Sequence, residues 1–314
     1  ATAGFDFTIL DNFCNSSRSV LARLERLIGR EIEVCDGDVR DEGLLDRIFA
    51  KNRITAVIHF AGLKAVGESN QIPLEYFDNN VTGSLTVLKA MAKNGCRRLV
   101  FSSSATVYGD ATAVPISEEA PLGATNPYGR SKLMLEEILA DLERSDPAWH
   151  IARLRYFNPV GAHESGLIGE EPRGTPNNLM PYVAQVAAGI RPRLKVFGED
   201  YPTRDGTGVR DYIHVMDLAE GHVAALKFLE DQRHGIVVNL GTGRGTSVRE
   251  MLVAFERASG TAVPFDIVSR RPGDVASCFA DVCKAQEQLG WRATRGVDQM
   301  CRDAWRWQKA LGST

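Results

Sequence analysis

The first half of the chain alternates short apolar segments with segments of helical periodicity, and this alternation restricts the fold more than any other feature. Segments typical of strands lie at 7–10, 31–35, 56–62, 98–104 and 150–158. Amphipathic segments typical of helices lie between them, at 20–28, 41–52, 76–94 and 128–143. Strands that alternate with helices form a parallel sheet covered on both faces, with ligand sites at the carboxyl ends of the strands. The sequence therefore predicts an α/β fold built on a doubly wound parallel sheet.

A segment rich in glycine and proline, "NPVGAHESGLIGEEPRGTPNNLMP" at 158–181, ends this alternation. Its composition predicts a loop, and we place a domain boundary at its start. Beyond it, short strands at 193–198, 235–241 and 262–268 mix with helices that begin near Val215, Val248, Ala285 and Val297. We therefore expect a first domain at 1–158 and a smaller α/β domain at 159–314, with the segment near 209–231 packing back on the first domain.

Charge and cysteine content narrow the class of partner. Of the 314 residues 25% are charged, and the net charge of −3 favours neither nucleic acid nor an anionic membrane as a partner. The six cysteines form no CxxC pair and have no histidines at ligand spacing, so we expect neither a metal site nor a disulfide framework. No apolar stretch approaches the roughly 18 to 20 residues that span a bilayer. We therefore expect a cytoplasmic protein.

The segment "NPYGRSK" carries the strongest indication of chemistry, because Tyr128 and Lys132 stand four residues apart near the start of a predicted helix. This spacing places both side chains on one face, where an ammonium is expected to lower the pKa of a phenol that ordinarily titrates near 10. Such a phenol can act as a base near neutral pH. On its own the pair is more often an ordinary surface Tyr and Lys. Ser104, at the strand end in "FSSSATVYG", adds a hydroxyl that could bond the same substrate oxygen.

With these two segments the chain resembles the extended short-chain dehydrogenase/reductases, and within them the UDP-glucose 4-epimerase family. The resemblance runs almost from end to end, through "LDNFCNS", "GDVRD", "IHFAGLKAVGES", "DNNVTGSL", "FSSSATVYG", "NPYGRSK", "RYFNPVGAH", "PNNLMPY", "DGTGVRDYIHVMDLA", "NLGTGRGTSV" and "RRPGD". It implies a Rossmann-type sheet, a tightly held NAD and an isomerase that oxidises C4 of a UDP-hexose and reduces it again on its other face. By this resemblance Tyr128, helped by Lys132 and Ser104, takes the proton of the 4-hydroxyl group.

The resemblance also implies which residues of the first domain bind NAD. Asp11 ends the first predicted strand, where a carboxylate accepts from both ribose hydroxyls and would repel a 2′-phosphate, so NAD is favoured over NADP. The alternative is that Asp11 only caps the next segment. The other implied cofactor contacts are Asn12, Cys14, Asn15, Asp38, Val39, Phe60, Ala61, Gly62, Lys64, Asn79, Tyr128, Lys132 and Phe157.

For the UDP-hexose, the resemblance implies that Arg210 and Arg271 clamp the pyrophosphate, a role that suits the planar guanidinium fork. Each could instead be a solvated surface arginine. Asp274 resembles a ribose-binding acid, with a helix N-cap as the alternative. The remaining implied substrate contacts are Ser104, Tyr128, Asn158, Asn178, Leu179 and Cys278.

Cys278 stands where some family members carry a bulky Tyr and others a small residue. A small side chain there leaves room for a 2-acetamido group. We therefore also expect interconversion of UDP-N-acetylglucosamine and UDP-N-acetylgalactosamine.

The chain departs from the family at its start, because the strand, GxxGxxG-type turn and helix with which family members begin are missing before Ala1. We therefore expect the sequence to be an N-terminal truncation, and a chain that truly starts at Ala1 to be unstable and nearly inactive. "GTGRG" at 241–245 does not supply that turn; it is predicted to be a tight turn with Ser247 near a helix N-cap. His59 is expected to be a hydrogen-bonded core residue.

Two other functions remain open at this stage. A sugar-nucleotide dehydratase of the same superfamily needs an acid pair just after the catalytic hydroxyl, but Ala105 and Thr106 occupy those positions. A non-catalytic NAD-binding module is disfavoured by the presence of Tyr128 and Lys132.

The resemblance further implies a homodimer that pairs through the predicted helices at 76–94 and 128–143.

Overall fold

The computed structural model describes residues 1–111, 113–271 and 273–312. Its first half contains β1 (Thr8–Asp11), α1 (Ser19–Ile28), β2 (Glu33–Asp36), α2 (Glu42–Lys51), β3 (Val57–His59), α3 (Val66–Ser69), α4 (Pro73–Phe77), α5 (Gly83–Lys93), β4 (Arg98–Ser102), α6 (Pro127–Ser145) and β5 (His150–Tyr156). Its second half contains β6 (Asn158–Val160), α7 (Leu179–Ala187), β7 (Leu194–Phe197), β8 (Val209–His214), α8 (Val215–Gln232), β9 (Ile236–Leu240), β10 (Gly245–Ser247), α9 (Val248–Ser259), β11 (Phe265–Val268), β12 (Ser277–Cys278), α10 (Cys283–Leu289) and α11 (Val297–Leu311). Within the described ranges, none of the helices is both long enough and apolar enough to cross a membrane.

Two compact units divide the chain. The first consists of residues 1–110, 118–156 and 221–238, and the second of residues 111–117, 157–220 and those from 239 onward. A single helix, α8, therefore contributes residues to both units.

Parallel strands form the sheet of the first unit, and the predicted α/β fold is confirmed. β3, β4 and β5 are parallel neighbours in the order β3-β4-β5-β9, while β1 and β2 form a separate parallel pair. Val100 and Ile151 are fully buried in the two central strands, as expected when helices cover both faces of a sheet. The carboxyl ends of β1, β3 and β4 lead directly into the segments at 11–15, 60–64 and 103–104 that carry most of the expected cofactor and catalytic residues.

The helix predicted at 76–94 is interrupted. Between α4 and α5 the chain forms a π-helical turn at Asp78–Thr82, so the helical segment is not one regular α-helix. The hydroxyl of Ser84 donates to the main-chain oxygen of Asn80 at 2.6 Å. π-helical turns of this kind carry an extra residue per turn and often occur at functional sites.

The sheet of the second unit is built around β8. β10 pairs with β8 in antiparallel orientation, β12 and β6 pair with it in parallel, and β7 and β11 form a parallel pair of their own. The prediction of a loop throughout 158–181 is wrong at both ends, since β6 occupies Asn158–Val160 and α7 begins at Leu179. Val160, buried in the core of this unit, explains why the short strand forms despite the neighbouring Pro159 and Gly161.

Two local predictions are confirmed. Ser247 caps α9, accepting from the main-chain nitrogen of Glu250, whose side chain in turn accepts from the main-chain nitrogen of Ser247. His59 is buried in the first unit, with its Nε2 atom 2.7 Å from the hydroxyl of Ser84. Neither residue therefore needs a catalytic explanation.

Candidate active site

Ser104 and Tyr128 meet at the carboxyl end of β4. Ser104 caps a short 3-10 helix at Ala105–Tyr108, and its hydroxyl accepts from the main-chain nitrogen of Thr106 at 3.2 Å. Tyr128 is the second residue of α6, a helix that starts with Pro127 and is capped by Asn126, which accepts from Gly129 at 2.9 Å. The Tyr128 and Ser104 side chains are hydrogen-bonded to each other.

Burial dominates the acid–base properties of this group. Tyr128 is 6% and Lys132 4% exposed. Burial raises the pKa of Tyr128, while its hydrogen bond with Ser104 acts in the opposite direction. Burial also lowers the pKa of Lys132 to about 8.

The expectation that Lys132 lowers the pKa of the Tyr128 phenol is therefore wrong in this structure. The ammonium of Lys132 donates to the main-chain oxygen of Ser102 at 2.9 Å and lies 4.9 Å from the ring centroid of Phe101. Sequence spacing placed the two side chains on one helix face, but it could not reveal that β4 supplies the acceptor for the lysine or that the phenol loses its contact with water.

The three serines that end β4 each have a different partner. Ser102 is hydrogen-bonded to Nε2 of His222 at 2.7 Å, and Ser103 donates to the carboxylate of Glu136. Ser104 is held by Tyr128 and Thr106 as described above. Sequence reasoning found neither His222 nor Glu136, because the signal for each lies in a distant segment whose contacts only the fold reveals.

The loop after β3 holds four of the expected cofactor residues: Phe60, Ala61, Gly62 and Lys64. Phe60 is 58% exposed, an unusually open position for a phenylalanine. A Cβ atom on Gly62 would lie 3.3 Å from Oδ1 of Asn80 and 3.6 Å from Nζ of Lys132, so the loop backbone passes close to the Lys132 ammonium. Glycine suits that approach because it has no side chain to displace.

Asn80, which sequence reasoning missed, links this loop to helix α6. Its Oδ1 atom accepts from the main-chain nitrogen of Leu63 at 2.7 Å and from the side chain of Asn79 at 3.0 Å. Its amide nitrogen donates to the main-chain oxygen of Leu63 and to the hydroxyl of Ser131, each at 3.0 Å. The available signal was the pair of asparagines inside a predicted helix, where Asn is unfavourable unless its side chain has another partner.

Polar residues cluster after β1 and β2. Asn12 donates to a carboxylate oxygen of Asp38 at 3.0 Å, and Arg40 forms an ion pair with the same carboxylate at 2.8 Å. The hydrogen bond from Arg40 holds the pKa of Asp38 well below its usual range. Asn12 also accepts from the main-chain nitrogen of Cys14 at 3.1 Å. Of the other expected residues here, Asn15 is exposed and Val39 packs against the core of the unit.

Asp11 itself accepts from the main-chain nitrogen of Phe13 at 2.7 Å, which is the local capping interaction weighed against its ribose role. One carboxylate oxygen is used in that contact, and ribose hydroxyls need acceptors of the same kind. Together with the exposed ring of Phe60 and the close backbone approach at Gly62, the residues after β1, β2 and β3 fit a dinucleotide.

In the second unit the structure brings Arg210, Asp274 and Cys278 together. Arg210 lies in β8 directly opposite Cys278 of β12, and its guanidinium is 3.6 Å from the carboxylate of Asp274. Arg210 also donates to the main-chain oxygens of Val209 and Val275 at 2.9 and 2.8 Å. The first described element after Asp274 is strand β12, so the helix N-cap alternative for this residue is wrong. Burial raises the pKa of the Cys278 thiol to about 11, which keeps it neutral.

Arg271 joins the same group through a turn, since the main-chain nitrogen of Asp274 donates to its main-chain oxygen at 3.1 Å. Its guanidinium lies 4.4 Å from the ring centroid of Phe197 at the end of β7. Cation–aromatic stacking of this kind fixes a long side chain while leaving its N–H groups available. Arg271 is an exposed side chain that stacks on Phe197, so its role toward a pyrophosphate stays a prediction.

The remaining predicted residues of the second unit lie at the starts of elements. Phe157 is buried, and Asn158 is exposed as the first residue of β6. Asn178 precedes α7, but its side chain donates to Glu170 at 2.6 Å and forms no cap. Leu179 packs against the core of this unit. In the residues that the structure describes, no cluster of His, Cys, Asp and Glu side chains is arranged to hold a metal ion.

Comparison with known proteins finds similar proteins over nearly the whole length of the chain. The family model for GDP-mannose 4,6 dehydratase matches residues 2–304. The UDP-glucose 4-epimerase of Bacillus subtilis (strain 168) is 57% identical over 308 residues, which cover 98% of this chain and 91% of that protein.

Two solved structures share the fold over nearly the whole chain. The UDP-glucose-4-epimerase from Stenotrophomonas maltophila, with bound NAD and formylated UDP-arabinopyranose, is 54% identical with a TM-score of 0.98, covering 99% of this chain and 93% of that one. The enzyme from Bifidobacterium longum, in complex with NAD+ and UDP, is 54% identical with a TM-score of 0.95, covering 98% and 92%.

Proposed function

The chain belongs to the UDP-glucose 4-epimerase family and to the wider family that the GDP-mannose 4,6 dehydratase model describes, and from this premise we propose that it is an isomerase that interconverts UDP-galactose and UDP-glucose with NAD. The observation that carries the proposal is the buried group of Ser104, Tyr128 and Lys132 at the carboxyl end of β4. NAD with UDP or a UDP sugar in the two solved relatives supports the same ligands here.

NAD, when bound, supplies the chemistry of accepting a hydride from C4 of the hexose and returning it to the opposite face. The residues of the chain manage the proton. In its phenolate form Tyr128 takes the proton of the 4-hydroxyl group to become the phenol and later returns it, while the hydroxyl of Ser104 orients the reacting oxygen. Lys132, with a pKa of about 8, is mostly protonated at neutral pH, and a buried positive charge on the same helix favours a developing oxyanion.

We assign NAD to the first unit through Asp11, Asn12, Asp38 and the loop at 60–64. In the second unit, Arg210 and Arg271 are proposed to hold the pyrophosphate and Asp274 the ribose of the UDP-hexose. The ion pair of Arg210 with Asp274 and the stacking of Arg271 on Phe197 support these roles, because they pre-orient both guanidinium groups.

The test is conversion of UDP-galactose to UDP-glucose by the purified protein with no cofactor added, followed by NMR of the anomeric signals. We expect conversion by the wild type and its loss in Tyr128→Phe, which removes only the phenolic oxygen. Tyr182→Phe, at the edge of the core of the second unit, is the matched control and should remain active. Absence of conversion by the wild type, with or without added NAD, would contradict the proposal.

Dehydration of a sugar nucleotide is the second candidate, because the matching family model carries that name. Elimination of water needs an acid that protonates the leaving hydroxyl. The two residues after Ser104 are Ala105 and Thr106, which begin the 3-10 helix and offer no carboxyl group. We therefore expect no 4-keto-6-deoxy product from UDP-glucose or GDP-mannose, as checked by mass spectrometry.

We further propose that N-acetylated UDP-hexoses are substrates. The support is the small, neutral thiol of Cys278, whose residue pairs with Arg210 across β8 and β12. Activity on UDP-N-acetylglucosamine should be present in the wild type and lost in Cys278→Tyr, while activity on UDP-galactose persists in both. Absence of N-acetyl activity from both proteins would refute the idea.

We also propose that the protein is a cytoplasmic homodimer. None of the six cysteines, all of which lie in the described residues, forms a disulfide bond, which fits a reducing compartment. Met134 is an exposed apolar residue on α6, one of the two helical segments expected to pair. Light scattering should report twice the chain mass for the wild type and a smaller mass for Met134→Lys, and cell fractionation should find the protein in the cytosol.

A further inference from the structure

His222 is a buried histidine with no role in the proposed chemistry. It lies in the part of α8 that belongs to the first unit and is 1% exposed. Its Nε2 atom is 2.7 Å from the hydroxyl of Ser102, and its ring centroid is 4.7 Å from that of Phe60. The ring centroid of Tyr156, at the end of β5, lies 6.1 Å from that of His222. One imidazole therefore contacts the carboxyl ends of three neighbouring strands.

Both of its closest contacts lead to the candidate active site. The main-chain oxygen of Ser102 is the acceptor for the ammonium of Lys132 at 2.9 Å. Phe60 begins the loop whose backbone passes Lys132 at Gly62. His222 thus contacts Ser102, which holds the lysine, and Phe60, whose exposed ring is assigned to the cofactor.

We propose that His222 is a positioning residue for the epimerase reaction. Its hydrogen bond fixes the end of β4, so that the Ser102 oxygen holds Lys132 in the orientation that the reaction needs. Its ring supports one face of Phe60, so that the other face is presented to NAD. The inference rests on the proposed function, because it assigns His222 to the same catalytic group and cofactor.

Physical chemistry favours this arrangement over accidental burial. An imidazole removed from water is unfavourable unless its nitrogens are hydrogen-bonded, and a packed aromatic neighbour restricts the ring further. Small displacements of a catalytic group reduce rates steeply, so a residue that fixes an acceptor affects turnover without touching substrate. An exposed phenylalanine, by contrast, has no fixed orientation unless something packs against it.

Three variants separate the two contacts. His222→Phe keeps an aromatic ring against Phe60 and removes the hydrogen bond, and Ser102→Ala removes that bond from the other side while keeping the main-chain acceptor. His222→Gln keeps a polar nitrogen near the position of Nε2 and removes the ring. We expect His222→Phe and Ser102→Ala to lower kcat about tenfold to a hundredfold with little change in KM for UDP-galactose. We expect His222→Gln to recover much of kcat and to raise the Kd for NAD about tenfold.

The measurements are kcat and KM for UDP-galactose, Kd for NAD by calorimetry on NAD-free protein, and Tm. His214→Phe is the matched control, since His214 is equally buried and bonds Asp303 through the same ring nitrogen, but in the second unit. It should lower Tm and leave the Kd for NAD unchanged. The proposal is overturned if folded His222→Phe and Ser102→Ala keep wild-type kcat and His222→Gln keeps the wild-type Kd. Equal losses of NAD affinity in His214→Phe would also overturn it.

Failure of the proposed function gives a different pattern. If the wild type binds NAD but does not epimerise UDP-galactose, the epimerase proposal fails, and the NAD affinity of His222→Gln still decides whether His222 supports the cofactor. If the wild type binds no NAD at all, both proposals fail together.

Discussion

Arg155 and Glu136 form an ion pair in the interior of the first unit, where the two side chains are 5% and 4% exposed. The contact is two-pronged: Nε of Arg155 lies 3.0 Å from one carboxylate oxygen and Nη2 lies 2.6 Å from the other. The same carboxylate accepts from Ser103, next to the candidate catalytic residue Ser104. Arg155 also donates to the hydroxyl of Tyr108 and to the main-chain oxygen of Glu118. The pair therefore braces the strand end that carries the candidate catalytic hydroxyl.

Removing one member of this pair should strongly destabilise the protein. Glu136→Gln leaves the Arg155 guanidinium buried without a counter-charge, and we expect a loss of about 3 to 5 kcal/mol in the free energy of unfolding. Urea denaturation measures the loss. Glu137→Gln, an exposed neighbour on the same helix, should change the value by less than about 0.5 kcal/mol. Similar small effects in both variants would show that the buried pair is not important for stability.

Lys132 should make stability depend on pH in a defined window. Its pKa is lowered by burial to about 8 from an ordinary value of 10.5, so between these values the unfolded chain binds more protons than the folded one. The free energy of unfolding contributed by this residue therefore rises with pH from about 8 to 10.5, because stability increases with pH wherever the unfolded state holds more protons. Below pH 8 the folded protein bears the full cost of the buried ammonium.

The variant that reveals this effect is Lys132→Met, measured in NAD-free protein. We expect it to be inactive but more stable than the wild type at pH 7, by as much as about 3 kcal/mol since one pKa unit corresponds to about 1.4 kcal/mol. The difference should shrink as the pH is raised above 8. A stability gap that is constant from pH 7 to 10.5 would contradict the assignment of this titration to Lys132.

Residue patterns predicted the elements of this fold better than they predicted its contacts. Alternating apolar and amphipathic segments located β3, β4, β5 and α6, because periodicity depends only on local sequence. The π-helical turn at Asp78–Thr82 was missed, since one extra residue hardly changes a helical pattern, and the contact of Asn80 with the loop at Leu63 joins segments 17 residues apart. Strand β6 was missed because only the core of the second unit makes Val160 favourable there.

In the candidate site, too, the sequence predicted the secondary structure better than it predicted the contacts between side chains. The spacing of Tyr128 and Lys132 correctly indicated a shared helix, but it carried no information on burial, which controls the pKa of both groups. His222 was invisible because its partner Ser102 lies 120 residues away in the chain. The roles assigned by family resemblance to the other site residues stay predictions, and the variants described above are their test.

Asp211 should be essential for the second unit through its hydrogen bonds. This fully buried carboxylate accepts from the main-chain nitrogens of Thr242, Gly243 and Ala280 at 2.8, 3.0 and 3.2 Å, and from the hydroxyl of Thr242 at 2.6 Å. In Asp211→Asn, the new amide N–H group would face main-chain N–H groups that now donate to the carboxylate, so some of these donors would lose their acceptor. We expect a loss of about 2 to 4 kcal/mol in the free energy of unfolding, measured in urea.

The control for Asp211 is Asp266→Asn, an exposed aspartate of the same unit that forms a surface ion pair with Arg193. Surface pairs contribute little, so this change should cost less than about 1 kcal/mol. Equal costs at the two positions would mean that the donors around Asp211 are satisfied in another way.

Gly62 should be intolerant of even a methyl group. Its backbone is not in a conformation that requires glycine, so the effect of Gly62→Ala comes from space: the new Cβ atom would lie 3.3 Å from Oδ1 of Asn80 and 3.6 Å from Nζ of Lys132. The Asn80 side chain must give by a few tenths of an ångström, and because it holds the loop at Leu63, we expect the backbone that is proposed to contact NAD to be displaced. We expect kcat to fall about tenfold with a change in Tm of only a few degrees. Gly67→Ala, in α3, meets no atom within 4 Å and should behave like the wild type. A Gly62→Ala protein with unchanged kcat and NAD affinity would show that the cofactor does not depend on this close approach.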